Sequence, residues 1–205
     1  MRISTETLDF SLVRSLLKEG HRTALFLRHS ERPPISPEDK EFGRTLGLTP
    51  RGVELARQAG EKLSGYRDVR FYSSPMARCR LTARHFAEGM GLPHAEVEDA
   101  DPLGVRGFYY DDPYAVQDLM RQRGYMAYML EYLRNGIAPF SRPIGPATEQ
   151  TAEWMHSAAT TKLTLFVSHD IFIASFLTGL KIRTFSAEDW VGFLHGAALV
   201  QDAKA

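Results

Sequence analysis

Apolar positions along this chain follow two rhythms, and the alternation between them sets the expected architecture. Leu8, Leu12, Val13, Leu16 and Leu17 recur at helical spacing and Gly20 follows as a stop, which predicts a first amphipathic helix packed on a sheet edge. Residues 23–27 are a continuous apolar run, the signature of a strand buried on both faces. Pro33, Pro34 and Pro37 then enforce a loop. Thr49 as N-cap and Pro50 as first helical residue open a second helix, whose Gly52, Ala56, Ala59 and Gly60 predict close approach to the sheet.

The alternation continues with a strand over 69–72, a helix from 75 to about 90 stopped by Gly91 and Pro93, and a short strand over 94–97. Residues 99–107 have turn composition. From Pro113, apolar Val116, Leu119, Met120, Met126, Met129, Leu130 and Leu133 keep one helical period as far as Asn135-Gly136. A helix begins near Ala147, a buried strand covers 162–167, a helix after Asp170 runs to Gly179, and 191–200 read as a last strand. Strands alternating with helices predict a three-layer α/β/α sandwich with a mostly parallel central sheet. The whole chain, 1–205, is expected to form one domain with a small helical cap inserted at about 99–146.

Composition narrows the class. Lysine plus arginine total 25 and aspartate plus glutamate total 25, so overall charge argues against nucleic acid or an anionic membrane as main partner. Any basic site must be local. Cys79 is the only cysteine, which excludes an internal disulfide and a cysteine-based zinc cage and favours a reducing compartment. Glu6, Asp9, Arg14 and Lys18 interrupt the first apolar segment, unlike a signal peptide or membrane span. A cytoplasmic location is the expectation.

In a parallel sheet, ligands sit beyond the carboxyl ends of the strands. Three polar groups fall there: Arg28-His29-Ser30-Glu31-Arg32 after the first strand, Ser73-Ser74-Pro75-Met76-Ala77-Arg78 after the second, and Ser168-His169-Asp170 after the late one. Arg28, Arg32 and Arg78 can clamp a phosphate through charge-assisted, bidentate hydrogen bonds. A histidine is a competent nucleophile near neutral pH, and His29 is the candidate. Asp170, beside His169, can protonate a leaving alkoxide and then activate water. The competing readings are plain ones: a solvated strand end for Arg28-His29, a helix N-cap for Asp170, a surface ion pair with Glu31 or Glu38 for Arg32, an exposed basic face for Arg80 and Arg84, and helix packing for Cys79.

Taken together, these motifs resemble the histidine phosphatase superfamily over residues 24–174. Arg28-His29-Ser30 is similar to its Arg-His-Gly signature, Ser73 to Ala83 to its second motif with the phosphate-holding Arg78, and Ser168-His169 to its late motif. The resemblance implies a phosphomonoesterase working through a phosphohistidine on His29, with Arg28, Arg32, Arg78, His169 and Ser30 in the phosphate pocket. It implies neither metal nor organic cofactor. Two departures stand out. Ser30 replaces glycine, where it would narrow the pocket or add a hydroxyl contact. Ala100 stands where the phosphoglycerate-mutase-like branch has its acidic glutamate, so His169-Asp170 resembles instead the acid-phosphatase branch, with Glu98, Asp99 and Asp101 as reserve donors.

The expected partner is a small-molecule phosphoester, with no nucleic acid and no membrane. Sugar phosphates, nucleotides, phosphoproteins and lipid-linked phosphates all fit the sequence. The methionine- and aromatic-rich stretch 108–132 reads as the apolar face of the cap, with rings to spare for substrate or for a second copy in a homodimer. The alternatives are a phosphomutase, which Ala100 disfavours, and a phosphoryl-ligand-binding protein without turnover, which Ser30 keeps open.

Overall fold

In the computed structural model, residues 9–36, 39 and 41–201 are described. Asp9 accepts the N–H groups of Ser11 and Leu12 and so caps α1, Phe10–Lys18. β1 is Arg22–Arg28, β2 Val69–Ser73, β3 Val97–Asp99, β4 Leu163–Ser168 and β5 Gly196–Gln201. They form one sheet in the order β3-β2-β4-β1-β5, parallel except for β5, which runs antiparallel to β1. The expected α/β/α sandwich is the observed fold.

Side-chain alternation in the strands divides the core between two faces. Leu25, Leu27, Leu163, Leu165 and Val167 point to one side, where Phe10, Val13 and Leu17 of α1 meet Ala59 of α2 (Pro50–Glu61) and Phe86 of α3 (Ala77–Gly89). Helix α1 thus covers this face of the sheet, whereas its sequence predicted an edge. On the other side, Ala24, Phe26, Tyr72 and Phe166 pack beneath α6 (Ile144–Ala158) and α7 (Asp170–Gly179). Helices α4 (Pro113–Arg123) and α5 (Tyr125–Asn135) extend that layer, and Tyr109 and Tyr110 seat it on Phe172. Among the described residues no helix is long and apolar enough to cross a membrane.

Four sequence expectations shift. The third strand falls at Val97–Asp99, not 94–97, because the pairing of Phe71 with Val97 fixes the register. The cap period is split by Gly124, whose φ of 92° ends α4 and starts α5. Residues 191–195 form a loop, and only Gly196–Gln201 pairs in the sheet.

The small residues of α2 serve a different neighbour from the one expected. A Cβ on Gly60 would lie 2.0 Å from the Phe86 carbonyl oxygen of α3, and one on Gly89 would lie 2.0 Å from the Arg57 carbonyl oxygen of α2. The two helices therefore touch backbone to backbone. Gly60→Ala should cost about 1–3 kcal/mol, because overpacking outweighs the helix-propensity gain of about 1 kcal/mol. At this chain length that lowers the melting temperature by roughly 5 °C. Gly145→Ala in α6, where a Cβ meets nothing within 4 Å, should leave it unchanged or slightly raised.

Candidate active site

Parallel pairing of β1, β2 and β4 brings three chain segments to one edge of the sheet. Arg28 lies opposite Ser168 in the β1–β4 register, the His29 N–H donates to the Ser168 carbonyl at 2.9 Å, and the Ser74 N–H donates to the Val167 carbonyl at 2.9 Å. Immediately beyond these strand ends opens a cavity of about 420 Å³ whose walls include Arg28, His29, Arg32, Arg78, His169 and Asp170. Six of the seven residues singled out from the sequence therefore share one cavity.

Ser30 is the exception. Its hydroxyl donates to the Gly52 carbonyl of α2 at 2.7 Å and its N–H donates to the Thr82 hydroxyl at 2.9 Å, all fully buried. A Cβ on Gly52 would lie 2.0 Å from the Glu31 carbonyl oxygen, so α2 presses directly on this loop. The Ser30 side chain stitches the loop to α2 and offers no hydroxyl to the cavity, contrary to the sequence expectation.

His29 is 2% exposed. Its Nδ1 sits 2.8 Å from the Ser30 carbonyl, and a carbonyl can only accept, so the proton resides on Nδ1 and Nε2 keeps its lone pair. Burial, then the Arg78 charge, lower its pKa from 6.5 to about 2. Its ring is edge-on to His169 at 5.5 Å and tilted against Phe193 at 5.7 Å.

His169 is similarly constrained. The Arg78 Nη2, a donor only, lies 3.3 Å from Nδ1, which leaves the proton on Nε2 to donate to Ser74 Oγ at 2.9 Å. Both ring nitrogens are thus spoken for, and burial followed by the Arg78 charge holds the pKa well below 6.5. The ring braces Arg78, whose Nη1 also donates to the Gly43 carbonyl at 2.8 Å. Burial pushes the neighbouring Cys79 thiol up to about 12, which suits a packing residue and not a nucleophile.

Arg28 donates to the Val191 carbonyl, lies 4.4 Å over the Phe193 ring and pairs with Asp170 Oδ2 at 3.2 Å. Arg32 donates to the Pro33 carbonyl, while Glu31 takes Thr49 and Arg51 instead. The surface ion pair with Glu31 is therefore not formed, and Glu38 lies outside the described residues. The Nε atoms of Arg28, Arg32 and Arg78 are all buried with no hydrogen-bond partner among the described residues. Three guanidinium groups gathered on one cavity repel one another, and an oxyanion between them would relieve that repulsion. Among the described residues four guanidinium groups and two carboxylates line the cavity, an excess of two positive charges with both imidazoles neutral and Asp170 ionised, or three with Asp170 protonated, which suits a phosphate monoester dianion.

Asp170 begins α7. Its Oδ2 accepts the Trp190 indole N–H at 3.0 Å as well as Arg28, and its Oδ1 accepts the Ile171 N–H at 3.1 Å. The reserve carboxylates lie elsewhere: Glu98 pairs with Arg70 at 3.6 Å, Asp99 grips Arg80, and Asp101 lines a separate cleft with Arg44 and Arg106. Ala100 is buried. Sequence reading missed Val191 and Phe193, assigned to a strand, Trp190 just before them, and Tyr125, whose buried hydroxyl belongs to the cavity wall. Among those residues no cluster of three His, Cys, Asp or Glu could hold a metal ion.

The paired low imidazole pKa values carry a stability consequence. In the unfolded chain these histidines bind protons below about 6.5, and in the folded protein they do not. Stability is therefore complete above pH 6.5 and is lost as pH falls from there toward the folded values. The slope is about 1.4 kcal/mol per pH unit for each histidine. Melting temperatures recorded from pH 7.5 to 5 should fall steeply, and since the His195 pKa is lowered as well, His29→Gln should remove roughly a third to a half of the slope; an unchanged slope would count against a buried neutral His29.

Residues 25–101 match the family described as histidine phosphatase superfamily (branch 1). A search of curated protein sequences returns no match. Among solved structures, phosphoglycerate mutase from Bacillus anthracis superposes with a TM-score of 0.56 at 15% identity, covering 89% of each chain. A mycobacterial glucosyl-3-phosphoglycerate phosphatase gives 0.54 at 16% identity over 78% of this chain and 79% of that one. The ecdysone phosphate phosphatase from Bombix mori, in complex with tungstate, gives 0.52 at 15% identity over 86% and 88%. At these identities the likeness is one of fold.

Proposed function

We propose that this chain, a histidine phosphatase superfamily member through the match at residues 25–101, is a phosphomonoesterase that works through a phosphohistidine on His29. The observation that carries the reading is the gathering of Arg28, Arg32 and Arg78 on one cavity with a neutral imidazole whose Nε2 keeps its lone pair. An ester phosphate seated on Arg28, Arg32 and Arg78 would present its phosphorus to that lone pair. The N–P bond forms as the P–O bond to the alcohol breaks, and Asp170, protonated when the ester is bound, gives its proton to the leaving oxygen and is left as a carboxylate. Asp170 then takes a proton from water as the water's oxygen attacks phosphorus and the N–P bond breaks. Preorganised cations stabilise the charge gathered on the three phosphoryl oxygens in both steps. His169 positions Arg78 and does not touch phosphorus.

Water as final acceptor is favoured over a sugar acid by Ala100, since that position supplies neither acid nor base. The test is brief mixing with a ³²P-labelled monoester followed by an alkaline, denaturing quench, because the P–N bond of phosphohistidine survives base. Label bound to wild type, absent from His29→Ala and released as inorganic phosphate supports the proposal. Label passed on to an added phosphoglycerate would make the chain a mutase. No bound label in either protein would make it a binder.

A further inference from the structure

Beyond the guanidinium groups, the cavity continues between the loop after β1 and helix α4, and its walls there change character. Ile35, Phe42, Met76, Val105, Val116 and Met120 face it. The polar side chains on this side are mostly committed to other partners. Asp39 accepts the N–H groups of Glu41 and Gly43 at 2.8 and 3.0 Å, and Arg121 stacks 4.7 Å over Phe42 and pairs with Asp118 at 2.8 Å. Among the described residues, the other polar side chains on this side are Ser36 and Gln117. A second cleft, sharing Met76, Val105 and Gln117, turns polar only farther out, at Glu41, Arg44, Asp101 and Arg106.

We infer that the alcohol half of the substrate is apolar at the carbons adjoining the ester oxygen: the site takes alkyl or aryl phosphates in preference to sugar phosphates or nucleotides. This rests on the oxyanion seat of the proposed function and adds the identity of what hangs from it. A sugar placed against these walls would bury several hydroxyls among few polar side chains, and each unpaired one costs about 1–3 kcal/mol. A hydrocarbon chain loses nothing there and gains by leaving water.

Binding of non-hydrolysable phosphonates separates this inference from catalysis. Titration calorimetry with methyl- through octylphosphonate should show Kd falling about 3- to 4-fold per methylene until the cavity is full, the transfer value for a buried CH₂. Glucose 6-phosphonate should bind no better than methylphosphonate. Val105→Asn and Met76→Gln, on half-buried positions outside the phosphate seat, should each flatten the series while leaving inorganic phosphate affinity within about twofold. A flat wild-type series, a preference for the sugar phosphonate, or a series unaffected by either variant would overturn the inference. Failure of even methylphosphonate to bind would overturn it together with the oxyanion seat. A rising series in a protein that forms no phosphoenzyme would sustain it and remove the phosphatase reading alone.

Discussion

His29→Ala should lower turnover of every phosphomonoester by on the order of 10⁵-fold while leaving oxyanion affinity within a few-fold of wild type. The split follows from how the site is built. The proposed nucleophile is one atom, Nε2 of an imidazole whose other nitrogen is fixed on the Ser30 carbonyl at 2.8 Å and whose pKa, lowered to about 2 by burial, keeps it unprotonated near neutral pH. No nearby side chain can take its place. The Cys79 thiol is held up at about 12, and both His169 nitrogens are engaged by Ser74 and Arg78. The proposed oxyanion seat, in contrast, consists of Arg28, Arg32 and Arg78, and their anchors do not include the His29 ring: Val191, Pro33 and Gly43 carbonyls hold them in place. Tungstate or phosphate titration of the variant, beside its kcat, checks both halves. Residual turnover within tenfold of wild type would remove His29 as the nucleophile, and a collapse of oxyanion affinity would mean that the variant had disturbed the seat.

The strand ends that make this site were legible because burial on both faces writes a continuous apolar run, and the first polar residues after it must stand at the sheet's edge. That logic located Arg28-His29, Ser73-Ser74 and His169-Asp170. Arg78 followed from its place at the start of the next helix. Ser30 was misread because sequence reports which residue follows the nucleophile and not which way its side chain turns; only the approach of α2, set by Gly52, shows that the hydroxyl meets a carbonyl. The 191–195 segment defeated the pattern for a related reason. Val191 is apolar because its side chain packs into the core while its carbonyl holds Arg28, and Phe193 because its ring lies against the Arg28 guanidinium; composition cannot distinguish these roles from strand pairing, across a separation of 163 residues from Arg28 to Val191. The Gly124 break was hidden because apolar residues on either side of it keep the same period.

Asp170→Asn should slow phosphorylation of His29 by alkyl phosphates by ~10²- to 10⁴-fold, the usual worth of a positioned general acid, but by less than about tenfold with p-nitrophenyl phosphate. An alkoxide leaves only with a proton, whereas p-nitrophenolate is stable without one. Steady-state rates would blur this contrast, because hydrolysis of the phosphohistidine needs the same carboxylate as base and slows for both substrates. The measurement is therefore a single-turnover burst: the variant should release p-nitrophenol at near wild-type rate and then stall as phosphoenzyme. Structural damage is a poor alternative explanation, since an asparagine oxygen can still accept from the Trp190 N–H, which lies 3.0 Å from Oδ2. Trp190→Phe gives the complementary test. It removes that donor while keeping an aromatic ring against Tyr125 and Phe185, so it should slow alkyl phosphates in the same direction by a smaller factor. Equal slowing of the burst with both leaving groups in Asp170→Asn would show that the carboxylate serves to hold Arg28, through their 3.2 Å pair, and that the leaving oxygen draws its proton from elsewhere.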